Sequence, residues 1–314
     1  MTFGNPVFST KFGATEMVAQ LKAACAWAEL ERGRATLYGD LITRYFSGNG
    51  DSQEHVLAYY ESVEIVEIYG LWSERVEQFP GLKEKIREAI ASGPLLQEDE
   101  NPARSNNRPR NDAFGFAFAG RLVAAGCEVL AVEGVSRVDE PGKWVGDITV
   151  RHDGVVLDIQ CKRPRTAAAI RPNFDKAKKQ ILEATCPGSG MIALDLSVII
   201  RPSGTLLPAQ SEACASAKLS NLIDTHLPGI ADEIEMIGPE IVGIIVVGRI
   251  PSMITETSTI VGSNGRQYDI TRPYSVAEIA VALNPLSPHA STLRCIGEKL
   301  DQWLKGRYRG LPQG

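Results

Sequence analysis

Residues 146–164, GDITVRHDGVVLDIQCKRP, hold the feature that most restricts the fold: two runs of alternating apolar residues joined by Asp153-Gly154. Asp-Gly favours a two-residue turn with left-handed φ at both positions, and such a turn fixes the register of the strands it joins. His152 then faces Val155, Val150 faces Leu157, Ile148 faces Ile159 and Asp147 faces Gln160. Side chains alternate along a strand, so Ile148, Val150, Leu157, Ile159 and Cys161 share one face. Asp147, Thr149, Asp158, Gln160 and Lys162 share the other. The aliphatic face demands cover; the polar face raises the question of what it serves.

Two readings of the polar face stand. As a solvated face it needs no further explanation. As a site it offers hard oxygen ligands. The Asp147 carboxylate and the Gln160 amide lie opposite each other with Cβ atoms about 4.5–5.5 Å apart, beside a backbone carbonyl, that of Cys161. Such a set suits Mg²⁺ or Mn²⁺, with waters completing the shell. Lys162, one step along the same face, is placed to orient or deprotonate a water on the ion and to offset charge growing on a phosphate.

The flanking sequence gives the hairpin a setting. Asn111 or Asp112 is placed to cap a helix through AFGFAFAGRLVAAG, which ends at Gly126 and leads into a strand, CEVLAVEG. After Pro172 a basic amphipathic helix, NFDKAKKQILEAT, precedes an apolar strand, GMIALDLSVII. Helix, three strands, helix, strand predicts an α/β sandwich with a mixed sheet. Beyond residue 205 the pattern predicts a helix over 209–226, a central strand at 240–250, a hairpin about Asn264-Gly265 and a terminal helix near 291–306. Upstream, 14–32, 53–69 and 82–91 carry apolar residues at helical spacing. Residues 1–100 are therefore expected to form a helical domain, 101–110 a Pro/Asn-rich linker, and 111–314 the α/β domain with a C-terminal extension.

The chain has 314 residues and a net charge of −5, which argues against a generic coat for nucleic acid. The charges are nonetheless polarised. Glu61, Glu64, Glu67, Glu74, Glu77, Glu84 and Glu88 stand against Lys162, Arg163, Arg165, Arg171, Lys176, Lys178 and Lys179, a run broken only by Asp175. That run is either a solvated face or a phosphate-binding surface. Six cysteines lie far apart without a CxxC pair, and the four histidines are scattered, so spacing indicates neither a zinc site nor a disulfide framework. No P-loop or G-x-G-x-x-G is present. Apolar stretches such as IVGIIVVG at 241–248 are far shorter than the roughly 20 residues that cross a bilayer, and the expected location is the cytoplasm.

GDITV…DIQCK, with Asp147, Gln160 and Lys162, resembles the motif of the PD-(D/E)xK nuclease superfamily: an Asp on one strand and (D/E)-x-K on the next. It is most similar to Mrr-like restriction endonuclease domains, in which Gln commonly replaces the acid and the Lys is often followed by Arg. The resemblance covers about residues 111–200, extends to the order of elements, and says nothing of residues 1–100. It implies a restriction-endonuclease-like core and catalytic roles for Asp147, Gln160 and Lys162. Two departures matter. Gln160 removes a negative charge from the site, and Gly115 stands where relatives often carry a Glu in the first core helix. Asp158 is an auxiliary carboxylate on the same face or a partner for Thr149. Gln180 matches a Gln that some relatives direct at the site. Glu133 and Asp112 either add a carboxylate to the site or are simply a strand end and a helix cap, and the second reading is preferred.

The expected function is Mg²⁺-dependent hydrolysis of DNA, in a setting such as defence against foreign DNA, with RNA left open as a substrate. Arg163, Arg165, Arg171, Lys176, Lys178 and Lys179 would contact backbone phosphates. The helical N-terminal unit would recognise a target, a protein partner or a second copy in a homodimer. The rival is a protein that keeps the nuclease fold without its chemistry and binds nucleic acid or a partner protein.

Overall fold

A computed structural model describes residues 14–49, 52–96, 99–101, 107–142, 144, 146–183, 189–201, 206–226, 228, 230, 238–261 and 267–309. Four helices, α1 (Ala14–Trp27), α2 (Arg34–Phe46), α3 (Ser52–Trp72) and α4 (Leu82–Ala91), precede the central helix α5 (Arg108–Ala124). Strands β1 (Glu128–Val132), β2 (Val135–Ser136), β3 (Ile148–His152) and β4 (Val155–Lys162) follow, then α6 (Ala167–Leu182). Next come β5 (Ser189–Asp195), α7 (Ser197–Ile200), β6 (Leu207–Ala209) and α8 (Glu212–Asp224). A long hairpin of β7 (Ile241–Val261) and β8 (Gln267–Leu283) leads to α9 (Ala290–Arg309).

The β3–β4 hairpin takes the register its turn dictates: His152 opposite Val155, Val150 opposite Leu157 and Ile148 opposite Ile159. Asp153 and Gly154 both have positive φ, 49° and 80°, as a type I′ turn requires. The eight described strands form one mixed, open sheet in the order β2-β1-β3-β4-β5-β7-β6, with β8 on β7. β1 to β4 are antiparallel, β4 and β5 are parallel, and so are β5 and β7. Because β8 pairs along β7 from Gly243 to Val261, β5 and β6 share the other edge of β7.

Helices cover both faces of this sheet. On one, Ile148, Val150, Leu157, Ile159, Met191 and Ala193 pack with α5, with residues of α1 to α4 and with Leu293, Ile296 and Leu300 of α9. This single cluster crosses the boundary expected at residues 101–110. On the other face Phe174, Ala177 and Ile181 of α6 pack with Ile192 and Leu194 of β5 and with α8 and β7. Gln160 stands beside Ile192 in the parallel pair, so the polar face of the hairpin lies under α6. It is not solvated: Thr149, Asp158 and Gln160 are 0, 7 and 1 % exposed.

Several boundaries differ from expectation for local reasons. Helix α2 lies where no helix was expected, after a break at Glu29 whose φ is 55°. Helix α5 starts at Arg108 with Asn107 as N-cap, so Asn111 and Asp112 lie within it and the linker ends sooner than residue 110. Helix α6 begins not after Pro172 but at Ala167, where the Thr166 side chain accepts from the Ala169 amide; Pro172 sits inside the helix. Strand β5 stops at Asp195, whose Oδ1 accepts from the Ser197 amide and hydroxyl and opens α7. The two-residue β2 adds a strand to the expected three. Asn264-Gly265 lies outside the described residues. No described helix is long and apolar enough to cross a membrane.

The acidic stretch in α3 is also not a solvated face. Glu67 takes Arg121 in a two-bond pair at 2.6 and 3.0 Å, Glu61 takes Arg110, and Glu64 reaches across to Arg249 of β7. Glu61, Glu67, Arg110 and Arg121 are all buried, and breaking such a pair by removing one partner costs about 3–5 kcal/mol.

Candidate active site

Lys162 ends β4 with its ammonium at the centre of the expected residues. Nζ lies 3.2 Å from Oδ2 of Asp147, 3.1 Å from Oε1 of Gln160 and 3.1 Å from the carbonyl oxygen of Cys161. Asp147 precedes β3, and its Oδ2 also accepts from the Cys161 amide at 2.8 Å. The three oxygens expected to hold a cation thus converge on one, and the cation there is the chain's own ammonium.

A further carboxylate faces this cluster from outside the motif. Glu133 and Gly134 form the tight turn between β1 and β2, with φ of 48° and 75°. Left-handed backbone costs a residue with a side chain about 1–2 kcal/mol, and strain of this kind gathers at functional sites. The Glu133 amide donates to the Asp147 carbonyl at 2.6 Å, and Lys85 of α4 donates to the Glu133 carbonyl at 2.5 Å. A Cβ on Gly115 would stand 2.7 Å from Glu133 Oε1. The space beside Gly115 of α5 is therefore filled by a carboxylate from the β1–β2 turn. Glu133 does end a strand as expected, yet its side chain belongs to the cleft. The signal was a Glu-Gly pair after a strand, together with a glycine where an acid was sought.

Asp147, Cys161, Lys162 and Glu133 line a cleft of about 480 Å³ across the end of β4, between the first half of α5 and α6, while Gln160, 1 % exposed, lies behind Lys162 and is not among the lining residues. Asp112, Glu133, Asp147, Lys162, Lys176 and Gln180 all face it. Burial first, and then the Asp147 and Asp112 carboxylates, push Glu133 up to about 8. Burial, with Glu88 and Asp147, raises Asp112 as well, and Asp112 is no cap. Oxygens Oδ1 of Asn111 and Oε1 of Gln180 are buried in the cleft wall without a hydrogen-bond partner among the described residues. Crowded carboxylates and unpaired amide oxygens make a surplus of acceptors, which fits a hard divalent cation.

The basic run divides. Lys176 and Gln180 sit with Ala169 and Asn173 on the face of α6 that lines the cleft. Arg171 is exposed and pairs with Asp175, Lys179 lies 3.7 Å from Glu183, and helical spacing turns Lys178 away from the cleft. Arg163 and Arg165, expected at phosphates, also line the cleft, and Arg163 is held from behind: Nη1 donates to Glu100 at 2.8 Å and Nε to Asp195 at 3.0 Å. Arg165 also reaches Glu100, at 2.6 Å, and Arg110 comes within 3.4 Å of it, so one fully buried carboxylate gathers three arginines. Asp158 accepts from Thr149 Oγ1 at 2.6 Å and is not among the residues that line the cleft.

The fold and site together define an α/β protein whose mixed, open sheet presents a cleft of mixed charge at the end of β4. No family model, curated protein or solved structure matches the chain, so the chemistry of the cleft rests on its own geometry.

Proposed function

We propose that this protein is a divalent-metal-dependent phosphodiesterase acting on DNA, built on a core like that of the PD-(D/E)xK nucleases. One observation carries the reading: Asp147, Gln160 and the Cys161 carbonyl bring their oxygens to a single point at Lys162 Nζ. Mg²⁺ would be held by those oxygens with Glu133 as an added carboxylate, restoring the charge that Gln160 lacks. When bound, it supplies Lewis-acid polarisation of a phosphoryl oxygen and a lowered pKa for an attacking water. Lys162 offsets charge developing on the phosphate. Lys176, exposed on the cleft face of α6, holds a neighbouring backbone phosphate.

The test is to incubate the full chain with plasmid, linear and single-stranded DNA and with RNA, in Mg²⁺, Mn²⁺ or EDTA. Cleavage of DNA that needs the metal and vanishes in Asp147→Ala is the expected result. DNA binding that is equal in Mg²⁺ and in EDTA, with no cleavage, would instead identify a binding protein that has lost the chemistry. Lys176→Ala should lower the log–log salt slope of duplex binding by about 0.9, the value for one lost phosphate contact. Lys178→Ala should leave the slope unchanged.

A further inference from the structure

A second group of metal-ligating side chains lies at the opposite end of the same hairpin. We propose that His152, Asp153 and Cys295 form a zinc site that clips helix α9 to the β3–β4 turn. One ligand atom from each residue, a ring nitrogen, a carboxylate oxygen and Sγ, falls within 4.8 Å of the other two. His152 ends β3, Asp153 opens the turn and Cys295 lies early in α9, so only the fold brings them together. Zinc bonds of about 2.0–2.3 Å set tetrahedral ligands roughly 3.6 Å apart, and closure takes about an ångström of side-chain movement. Cys295 is half-buried and Asp153 exposed, so both can move, whereas His152 is buried and fixed.

The neighbours of the imidazole bear on which ring nitrogen a metal would meet. Its Nδ1 lies 3.8 Å from Sγ of Cys127, and its Nε2 lies 3.3 Å from Nζ of Lys299 and 3.6 Å from Oδ2 of Asp153. The zinc site requires the tautomer with its lone pair on Nε2 and Nδ1–H directed at Cys127, and Lys299, which can only donate, favours that tautomer. A ligating histidine is held in this way, by a partner behind the ring that fixes its tautomer. Lys299 stands where a cation is favoured, on a flexible stem and half-exposed, and can yield the place. A thiolate, an imidazole and a carboxylate form a mixed set suited to zinc and unlike the all-oxygen set at Asp147. Binding releases the Cys295 thiol proton to solvent, and a water fills the fourth position.

This site is independent of the proposed nuclease activity, and its test can be kept so. The full chain carrying Asp147→Ala, which removes the other cation site, is stripped with chelator and titrated with Zn²⁺ and with Co²⁺. One equivalent of Zn²⁺ should bind and raise the melting temperature, and Co²⁺ should give a thiolate-to-cobalt charge-transfer band in the near ultraviolet. Adding Cys295→Ser should abolish the band, and either Cys295→Ser or Asp153→Asn should weaken Zn²⁺ by at least about tenfold. Asn tolerates positive φ, so Asp153→Asn keeps the turn and separates loss of a ligand from loss of the fold. Substoichiometric uptake, absence of the band, or variants that bind like their parent would overturn the assignment.

Discussion

Gly115 and Glu133 share one space: a Cβ on the glycine would stand 2.7 Å from the Glu133 carboxylate. Alanine is favoured over glycine in a helix by about 1 kcal/mol, so Gly115→Ala would stabilise α5 if nothing opposed it. Displacement of Glu133 is expected to reverse that. Metal-dependent cleavage should fall in Gly115→Ala and equally in Glu133→Gln, and the double variant should be no worse than either. Rates of plasmid cleavage decide it; wild-type activity in Gly115→Ala would leave the glycine a packing role only.

Lys162 and a bound cation draw on the same oxygens and therefore compete. Removing the ammonium in Lys162→Ala leaves Asp147 without its counter-charge, 3.2 Å away in the native protein. Mg²⁺ affinity, measured by the melting shift, should hold or rise. Cleavage should slow by on the order of 10² or more, the effect of losing one preorganised electrostatic group. Gln160→Glu, which adds a carboxylate at the same point, should retain or strengthen metal binding. A parallel fall in affinity and rate in Lys162→Ala would make the lysine a structural brace.

The parts of this site that were legible in the sequence are those fixed locally. Asp153-Gly154 and strict alternation set the hairpin register, and with it the nearness of Asp147, Gln160 and Lys162. What docks on a face is not local. A solvated polar face stayed open as a reading because nothing between residues 147 and 162 announces that α6 covers it. That Arg163, which lines the cleft, is gripped by Glu100 was hidden because Glu100 lies on the other side of α5 in the chain. Glu133 was visible as a candidate carboxylate but was read first as a strand end, since its position in the cleft depends on a turn in one element and a glycine in another. The grouping of His152 with Cys295 is hidden for the same reason.

Stability should report the crowding of carboxylates in the cleft. Glu133 is raised in the folded protein from 4.5 to about 8, chiefly by burial and then by Asp147 and Asp112. Between those values the folded state holds a proton that the unfolded chain has lost, so stability falls as pH rises through the window. Asp112, also raised, adds in the same direction. In chelator, the melting temperature should decline from about pH 5 to about pH 8, and Glu133→Gln should flatten that decline. Mg²⁺ should oppose it in the wild type, since the cation favours the ionised carboxylate. A decline of equal slope in Glu133→Gln would place its cause elsewhere.

Glu100 sits at the edge of the stretch that reads as a linker, yet its buried carboxylate meets Arg110, Arg163 and Arg165. Arg110 belongs to α5 and also binds Glu61 of α3, while Arg163 follows Lys162 directly and binds Asp195 at the end of β5. The carboxylate thus joins the N-terminal helices to the strand that carries the site. Glu100→Ala would leave the buried Arg163 with one carboxylate, Asp195, in place of two, and the loss should be less than the about 3–5 kcal/mol of a buried charge left with no partner. Urea unfolding should show that loss as a lower midpoint. Cleavage should fall further than stability accounts for, because Arg163 anchors the backbone next to Lys162. Glu100→Gln, which keeps the shape and an acceptor, should recover part of both. An unchanged midpoint in Glu100→Ala would mean that the three arginines find other partners and that the Glu100 carboxylate is not what holds the end of β4.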